Sequence, residues 1–223
     1  ISIVKKIIKK TKKFPKMKSN KPIVIFGAGG HASVLIEILA LNQCKVLAIV
    51  DPKVEGGETH YSFPVISFDE FLSTYEPGDI DLVNGIGIMP NTSSRQDLAI
   101  KLRDLEYKFK TVIHPAATIA MNVEIDEGAQ IMAGVVIQPN VRIGKDTIIN
   151  TSCSIDHDCK IGSSCHIAPG VVLSGGVVIS DSCFIGTGSV IINDISIGKG
   201  VVTAGGSTIY ENLPNDTKLI QKK

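Results

Sequence analysis

The chain of 223 residues contains no tryptophan, and aromatic residues make up only 5% of it, so any core must be aliphatic. It has no run of 18 apolar residues, which excludes a membrane-spanning helix. The apolar residues at the start are broken up by lysines, so no secretory leader is expected there. Five cysteines do not read as a disulfide framework. Cys153, Cys159, Cys165 and Cys183 sit where a compact apolar filler is wanted, and the compartment is read as reducing cytoplasm. The first three mark corners of one coil, but valine fills the same positions in neighbouring coils, so no metal is assigned to them. Strong net charge is also lacking. The overall +1 hides eight lysines and no acid in residues 1–20, which leaves 15 basic against 22 acidic groups, a net of −7. That balance argues against nucleic-acid binding by the folded body.

What is present is a strict repeat of six. Positions 113, 119, 125 and onward to 197 hold isoleucine at every sixth residue, with Leu173 the one substitute. Two residues before most of them stands a small residue such as Ala117, Val135, Cys159 or Ser189. Neither the helical period of 3.6 nor the strand period of 2 produces this pattern, whereas a parallel β-helix does. Three hexapeptides close one triangular coil of 18 residues, so Ile113, Ile131, Ile149, Ile167 and Ile185 stack in one column. At the spacing of neighbouring strands, five coils form a prism roughly 24 Å long.

Before the repeat, from Lys21, the text is KPIVIFGAGGHASVLIEILALNQCKVLAIVD. It predicts a strand at Ile23–Phe26, a glycine turn, a helix from Ala32 to about Leu41, and a second strand, Lys45–Val50, that ends at Asp51. Glycines of this kind let backbone N–H groups and a helix N-terminus approach a phosphate. An acid at the end of the second strand can accept from a sugar hydroxyl. Only about 90 residues precede the repeats, enough for one mononucleotide-sized half of a doubly wound sheet and not for a dinucleotide fold. Further strands are expected at Phe63–Ser67, Asp81–Ile88 and Phe109–Ile113, with helices at Asp69–Tyr75 and Ser94–Leu105. Arg95 opens the last helix, facing either an anion or solvent. Residues 1–20 are read as a basic extension outside the fold, with Met17 as the expected natural start. Membrane contact by residues 1–16 is the weaker reading. The repeat register lapses at Thr203, and the tail Glu211–Lys223 is read as a coil cap or subunit contact.

His157 stands out in Ser154-Ile155-Asp156-His157-Asp158-Cys159, near an outward-facing corner and flanked by acids. A carboxylate that accepts from one ring nitrogen fixes the tautomer and raises the basicity of the other, as a general base requires. His166 follows nine residues later, half a coil away, so the two histidines lie on different faces of one prism. Gly175-Gly176 stands one coil above His157 and leaves room for a ligand. His114, His157 and His166 lack the spacing of three convergent metal ligands.

Taken together, IVIFGAGGHA, the Asp51 strand end, NGIG at Asn84–Gly87, VIHPAA at Val112–Ala117, IDHDCKIG at Ile155–Gly162 and HIAPGVVLSGG at His166–Gly176 resemble the sugar acyltransferase family of the hexapeptide-repeat superfamily. That family includes sialic acid O-acetyltransferases and UDP-4-amino-sugar N-acetyltransferases. The resemblance covers Met17–Asn215 and implies a left-handed β-helix, a homotrimer with active sites between subunits, and acetyl-CoA along the C-terminal coils. It carries His157 across as general base and Asp158 as its orienting acid, where the amino-sugar branch often has Glu. His166, Gly175, Gly176, Ala204 and Gly205 are the implied contacts of acetyl-CoA, and Gly29, Gly30, His31, Asp51 and Gly87 those of a nucleotide sugar.

The expectation is therefore a small Rossmann-like α/β domain over 21–112, a left-handed parallel β-helix over 113–210, and a tail over 211–223. The function expected is transfer of acetyl from acetyl-CoA to the amine of a nucleotide-linked 4-amino-deoxy sugar, by direct attack with a histidine base. The alternative is O-acetylation of sialic acid or a related sugar hydroxyl. No metal is expected.

Overall fold

The computed structural model describes residues 21–51, 59–90 and 92–219; the basic extension and its possible membrane contact lie outside the described residues. Strand β1 (Ile23–Phe26) is buried along its whole length. It pairs in parallel with β2 (Val46–Val50) on one side, the two being joined through helix α1 (Gly30–Leu41). The short β3 (Thr59–His60) pairs antiparallel with β4 (Phe63–Ile66), which runs parallel to β2. Helix α2 (Phe68–Thr74) follows, started by the Ser67 hydroxyl accepting from the Glu70 N–H. Strand β5 (Asp81–Asn84) lies on the other side of β1, and helix α3 (Ser94–Asp104) closes the domain. The sheet order β3-β4-β2-β1-β5 puts β1 between strands reached in opposite directions, and such a switch point opens a crevice at the carboxyl end of β1.

Three elements differ from expectation. The strand expected over Asp81–Ile88 stops at Asn84, and Gly85 after it is packed so closely that a Cβ there would stand 2.9 Å from both Ala32 Cβ and the Phe26 carbonyl oxygen. Residues 85–88 leave the sheet as a loop across the crevice. Phe109 makes only a single bridge to Leu82. The repeat also does not lapse at Thr203, which is buried in the last but one turn of strands.

The β-helix strands are two residues long, β6 (Val112–Ile113), β7 (Thr118–Ile119), β8 (Glu124–Ile125) and so on in six-residue steps to β22 (Thr208–Ile209), then β23 (Lys218–Leu219). They pair in parallel into three faces, at 18-residue separation except for β23, which lies 16 residues beyond its partner. Isoleucines 131, 149, 155, 167 and 185 are 0% exposed, and each such side chain contributes about 1.5–3 kcal/mol by leaving water. A second sixfold column, not read from the sequence, sets the corners. Asn122, Asn140, Asp146, Ser152, Asp158, Ser164, Ser182 and Asp194 all have φ near +60°, and glycine fills most of the remaining steps. Only Gly, Asn, Asp and a few small polar residues adopt that conformation cheaply, so they recur at that position. The tail winds on: Leu213 bridges to Ile197, and β23 pairs with β21 (Val202–Thr203).

Helix α1 and strand β1 share one continuous apolar core with the β-helix, Leu35 and Leu39 joining Ile131 and Ile149. Polar ties fix the docking. The Asn42 side-chain amide donates to the Ile113 carbonyl at 2.9 Å, and Arg103 binds Asp146 through two nitrogens at 2.6 and 2.9 Å and Glu127 at 3.1 Å. The face that carries the α/β domain is the one formed by β6, β9 (Gln130–Ile131), β12 (Ile148–Ile149) and β15 (His166–Ile167).

Candidate active site

A cavity of about 940 Å³ opens at the carboxyl end of β1. Gly29, Gly30, His31, Asp51 and Gly87, all expected at the sugar-nucleotide site, line it together. The glycines are not equivalent. A Cβ on Gly29 or Gly30 would meet nothing within 4 Å, so this chain's own packing does not require glycine at either position. Gly27 has φ +99° and Gly85 lies against α1, so those two serve the turn and the packing. Gly29 caps α1 without a side-chain hydrogen bond, so the free N–H groups of the first helical turn face the crevice, where an anion is favoured. One Asp51 oxygen already accepts from the Ala28 N–H at 2.7 Å and tethers the loop to the second strand. Lys101 and Phe68 line the same cavity, with the ammonium 4.0 Å from the ring centroid. Neither was identified from the sequence, because nothing local marks them; helices α2 and α3 bring them in.

Arg95 neither faces an anion nor projects into solvent. It is 4% exposed, and its Nη1 donates to the carbonyls of Asn84 and Ile86, holding the loop that follows β5. Burial lowers its pKa to about 10, so it keeps its charge. The Asn84 side chain reciprocates by donating to the Arg95 carbonyl.

On the β-helix, His157 lies at the corner between β13 (Ser154–Ile155) and β14 (Lys160–Ile161). Its Nδ1 is 2.7 Å from Asp158 Oδ2. A carboxylate only accepts, so Nδ1 carries the proton and Nε2 is left with its lone pair. The hydrogen bond that His157 donates to Asp158, helped by the charge of Asp156, raises the pKa of His157, and the same contact lowers that of Asp158. Asp158 adopts φ +62°, a conformation open to aspartate, and Asn140 one coil below donates to its other oxygen at 3.1 Å. The shorter acid therefore reaches the imidazole. The space over Gly175 is filled by the imidazole itself, not left for a ligand: a Cβ there would stand 2.8 Å from His157 Cε1. Gly176 is a left-handed corner residue lying against Asp194.

His166 is on β15, under the α/β domain. Its Nδ1 lies 3.1 Å from the Ile88 carbonyl, its Nε2 is 3.0 Å from the Asn150 amide, and its ring stands edge-on to Phe184. Burial lowers its pKa. A small cleft of about 80 Å³ lined by Ile88, Met89, Arg95, Ser182 and Phe184 adjoins it. Ala204 and Gly205 lie farther along, in the turn after β21. His114 bonds the Ala116 N–H and sits at a third place on the prism. The buried thiols bond to backbone carbonyls, Cys153 to Ala168 at 3.0 Å, and burial pushes the pKa of Cys153 and Cys159 up to about 11. One geometric fact governs the rest. The crevice and His166 belong to the docked face, whereas His157 stands at the corner opposite that face, so a single chain does not bring them together.

A mononucleotide-sized α/β crevice docked on a hexapeptide β-helix with a His–Asp pair at one corner defines an acyltransferase architecture. Residues 22–102 match the family described as the PglD N-terminal domain, and residues 140–175 match the bacterial transferase hexapeptide (six repeats). Over 117 residues the chain is 35% identical to UDP-N-acetylbacillosamine N-acetyltransferase of Bacillus subtilis. That match spans 51% of this chain and 52% of the relative, about half its length. Among solved structures, PerB of Caulobacter crescentus in complex with CoA and GDP-perosamine superposes with a TM-score of 0.81 at 34% identity, covering 88% of this chain and 92% of that one. The acetyltransferase domain of PglB from Neisseria gonorrhoeae in complex with acetyl coenzyme A gives 0.82 at 29% identity, covering 90% and 96%. The chain belongs to the sugar acyltransferase family of the hexapeptide-repeat superfamily.

Proposed function

We propose that this protein transfers acetyl from acetyl-CoA to the amine of a nucleotide-linked 4-amino-deoxy sugar. Residues 21–112 would hold the nucleotide sugar, with the diphosphate at the start of α1 and a hydroxyl on Asp51. The coils from 113 to 210 would carry the thioester, with His166, Ala204 and Gly205 along its path, while Gly175 makes room for the imidazole of His157. The observation that carries the reading is the His157–Asp158 contact at 2.7 Å, which leaves Nε2 as an unprotonated base on an acyltransferase scaffold.

In this reaction the neutral amine nitrogen attacks the thioester carbonyl while His157 Nε2 accepts its proton. As the tetrahedral adduct collapses, the C–S bond breaks, and the proton passes from the imidazolium to the departing thiolate. The products are the amide and free CoA, with no covalent enzyme intermediate. Because His157 lies opposite the crevice, we infer that the acting base comes from a neighbouring copy, in a homotrimer with sites between subunits. Among the described residues no helix is long and apolar enough to cross a membrane. Both proposed substrates are cytoplasmic metabolites, and that is where we place the enzyme.

Thiol release from acetyl-CoA should be measured across UDP-, dTDP- and GDP-4-amino sugars and across free and CMP-linked sialic acid. Turnover with an amino sugar is expected. Acetylation of the sialic acids alone would replace this reading with the O-acetyltransferase. Light scattering should give a trimer, and a fully active monomer would refute the shared site.

A further inference from the structure

We propose that Gln130 is a positioning residue that holds His31 as the Nε2–H tautomer, so that His31 offers Nδ1 as an acceptor to a hydroxyl or amine of the sugar and leaves the diphosphate to other groups. The inference rests on the nucleotide-sugar reading of the crevice and adds which atom of the ligand His31 can meet.

Gln130 belongs to β9 of the β-helix and is 1% exposed, yet its side chain reaches the α/β domain. Its amide nitrogen donates to the Asn84 carbonyl at 2.8 Å. Its amide oxygen lies 2.7 Å from His31 Nε2. The opposite amide orientation would set two oxygens face to face at 2.8 Å, so the hydrogen-bond network itself assigns the orientation. With an oxygen facing it, His31 Nε2 must carry the hydrogen. The other ring nitrogen then holds a lone pair, and among the described residues it has no hydrogen-bond partner. His31 lines the 940 Å³ cavity together with Gly87, where an added Cβ would lie 3.6 Å from His31 Cβ and 4.0 Å from Cγ, in ordinary contact and without a clash.

The ring also stays neutral. Burial, then Arg95 from α3 and His166 from β15, lower the His31 pKa to about 4, against the opposing effect of the hydrogen bond it donates to Gln130. Among the described residues, the charged groups lining the cavity are Asp51 and Lys101. A neutral acceptor has nothing to offer a phosphate, which at neutral pH brings oxygens and no dependable proton. The anion therefore belongs at the N–H groups of Gly29 and Gly30 and near Lys101. His31, tied through Gln130 to the domain that carries the acyl donor, meets the sugar end of the ligand. Gln130 precedes the inward Ile131 and faces out of the coil toward the α/β domain, where the repeat itself would be satisfied by any strand residue, so its amide answers to His31 and Asn84 and not to the coil.

The test uses the full chain labelled with ¹⁵N-histidine. Long-range ¹H–¹⁵N spectra of the free protein between about pH 6 and 8 should show His31 as the Nε2–H tautomer. Gln130→Leu should give a tautomer mixture, whereas Gln130→Glu, which when buried as the neutral acid donates its hydroxyl to the Asn84 carbonyl and turns its carbonyl oxygen to His31, should restore the Nε2–H form. By calorimetry, Gln130→Leu should weaken UDP-, dTDP- or GDP-4-amino sugar binding roughly tenfold, the size expected for one lost hydrogen bond. Binding of UDP, dTDP or GDP without the sugar, and of acetyl-CoA, should stay as in wild type. An Nδ1–H tautomer in the free protein would overturn the proposal, as would equal losses for the nucleotide sugar and the bare diphosphate. Failure of every sugar nucleotide to bind the wild-type chain would remove the functional reading as well. Normal turnover with an unchanged Gln130→Leu would remove this inference alone.

Discussion

A Cβ at position 175 would stand 2.8 Å from Cε1 and 2.9 Å from Nε2 of His157, so the missing side chain of Gly175 is what lets the imidazole lie flat against the next coil. Gly175 is not among the residues with positive φ, so the backbone itself tolerates alanine there. Gly175→Ala should therefore leave the melting temperature within a degree or two while displacing the base. A misplacement of about 1 Å can cost on the order of 10²-fold in rate. Steady-state kinetics beside a thermal melt check this, and wild-type kcat in a folded variant would contradict it.

His157→Ala should lower kcat by about 10²–10⁴-fold, the usual contribution of a positioned base, with both substrates still bound. In the proposed reaction turnover needs the neutral imidazole, and the hydrogen bond it donates to Asp158 raises its pKa. The acidic limb of the pH–rate profile should accordingly sit above the ordinary imidazole range. Asp158→Asn removes that support, so the limb should move to lower pH, and with His157→Ala it should vanish. The double variant should be little worse than His157→Ala alone, since the pair acts as a unit.

The two kinds of glycine in the nucleotide domain should separate by assay. Gly29→Val places a side chain in open space at the mouth of α1, so stability should hold while the KM for the nucleotide sugar rises by roughly tenfold or more. Gly85→Ala forces a Cβ to 2.9 Å from Ala32 and from the Phe26 carbonyl, and overpacking of that kind costs about 1–3 kcal/mol. Denaturant titration and substrate titration of both variants would reveal a reversal.

Arg103→Met should weaken docking of the two domains. It strips a two-nitrogen contact from Asp146, whose side chain is only 8% exposed, and hydrogen bonds to charged groups are worth about 1.5–3 kcal/mol. A double-mutant cycle with Asp146→Asn should return a coupling of at least about 1 kcal/mol. Strict additivity would show that the pair is an incidental contact.

The sequence alone determined the β-helix, its coil length and its inward columns, because a period of six follows from the local geometry of each turn and strand and repeats without reference to anything distant. For the same reason it marked His157 and Asp158: an Asp-His-Asp at a corner stands out against predictable filler. The left-handed corner column of Asn, Asp, Ser and Gly was equally local and could have been read from the same spacing. It was masked because those residues also look like ordinary turn composition.

The tertiary structure decided what depends on partners far apart in the chain. Arg95 opens a helix and reads locally as a surface cation, yet it is buried against carbonyls 9 and 11 residues away. Gln130 and His31 are 99 residues apart, and His166 and Ile88 are separated by 78. No local pattern encodes which face of a threefold prism receives the α/β domain. That choice comes from shape and hydrogen-bond complementarity at one face, through Asn42, Arg103 and Gln130. It also puts the crevice at the carboxyl end of β1 on the side of the prism away from His157.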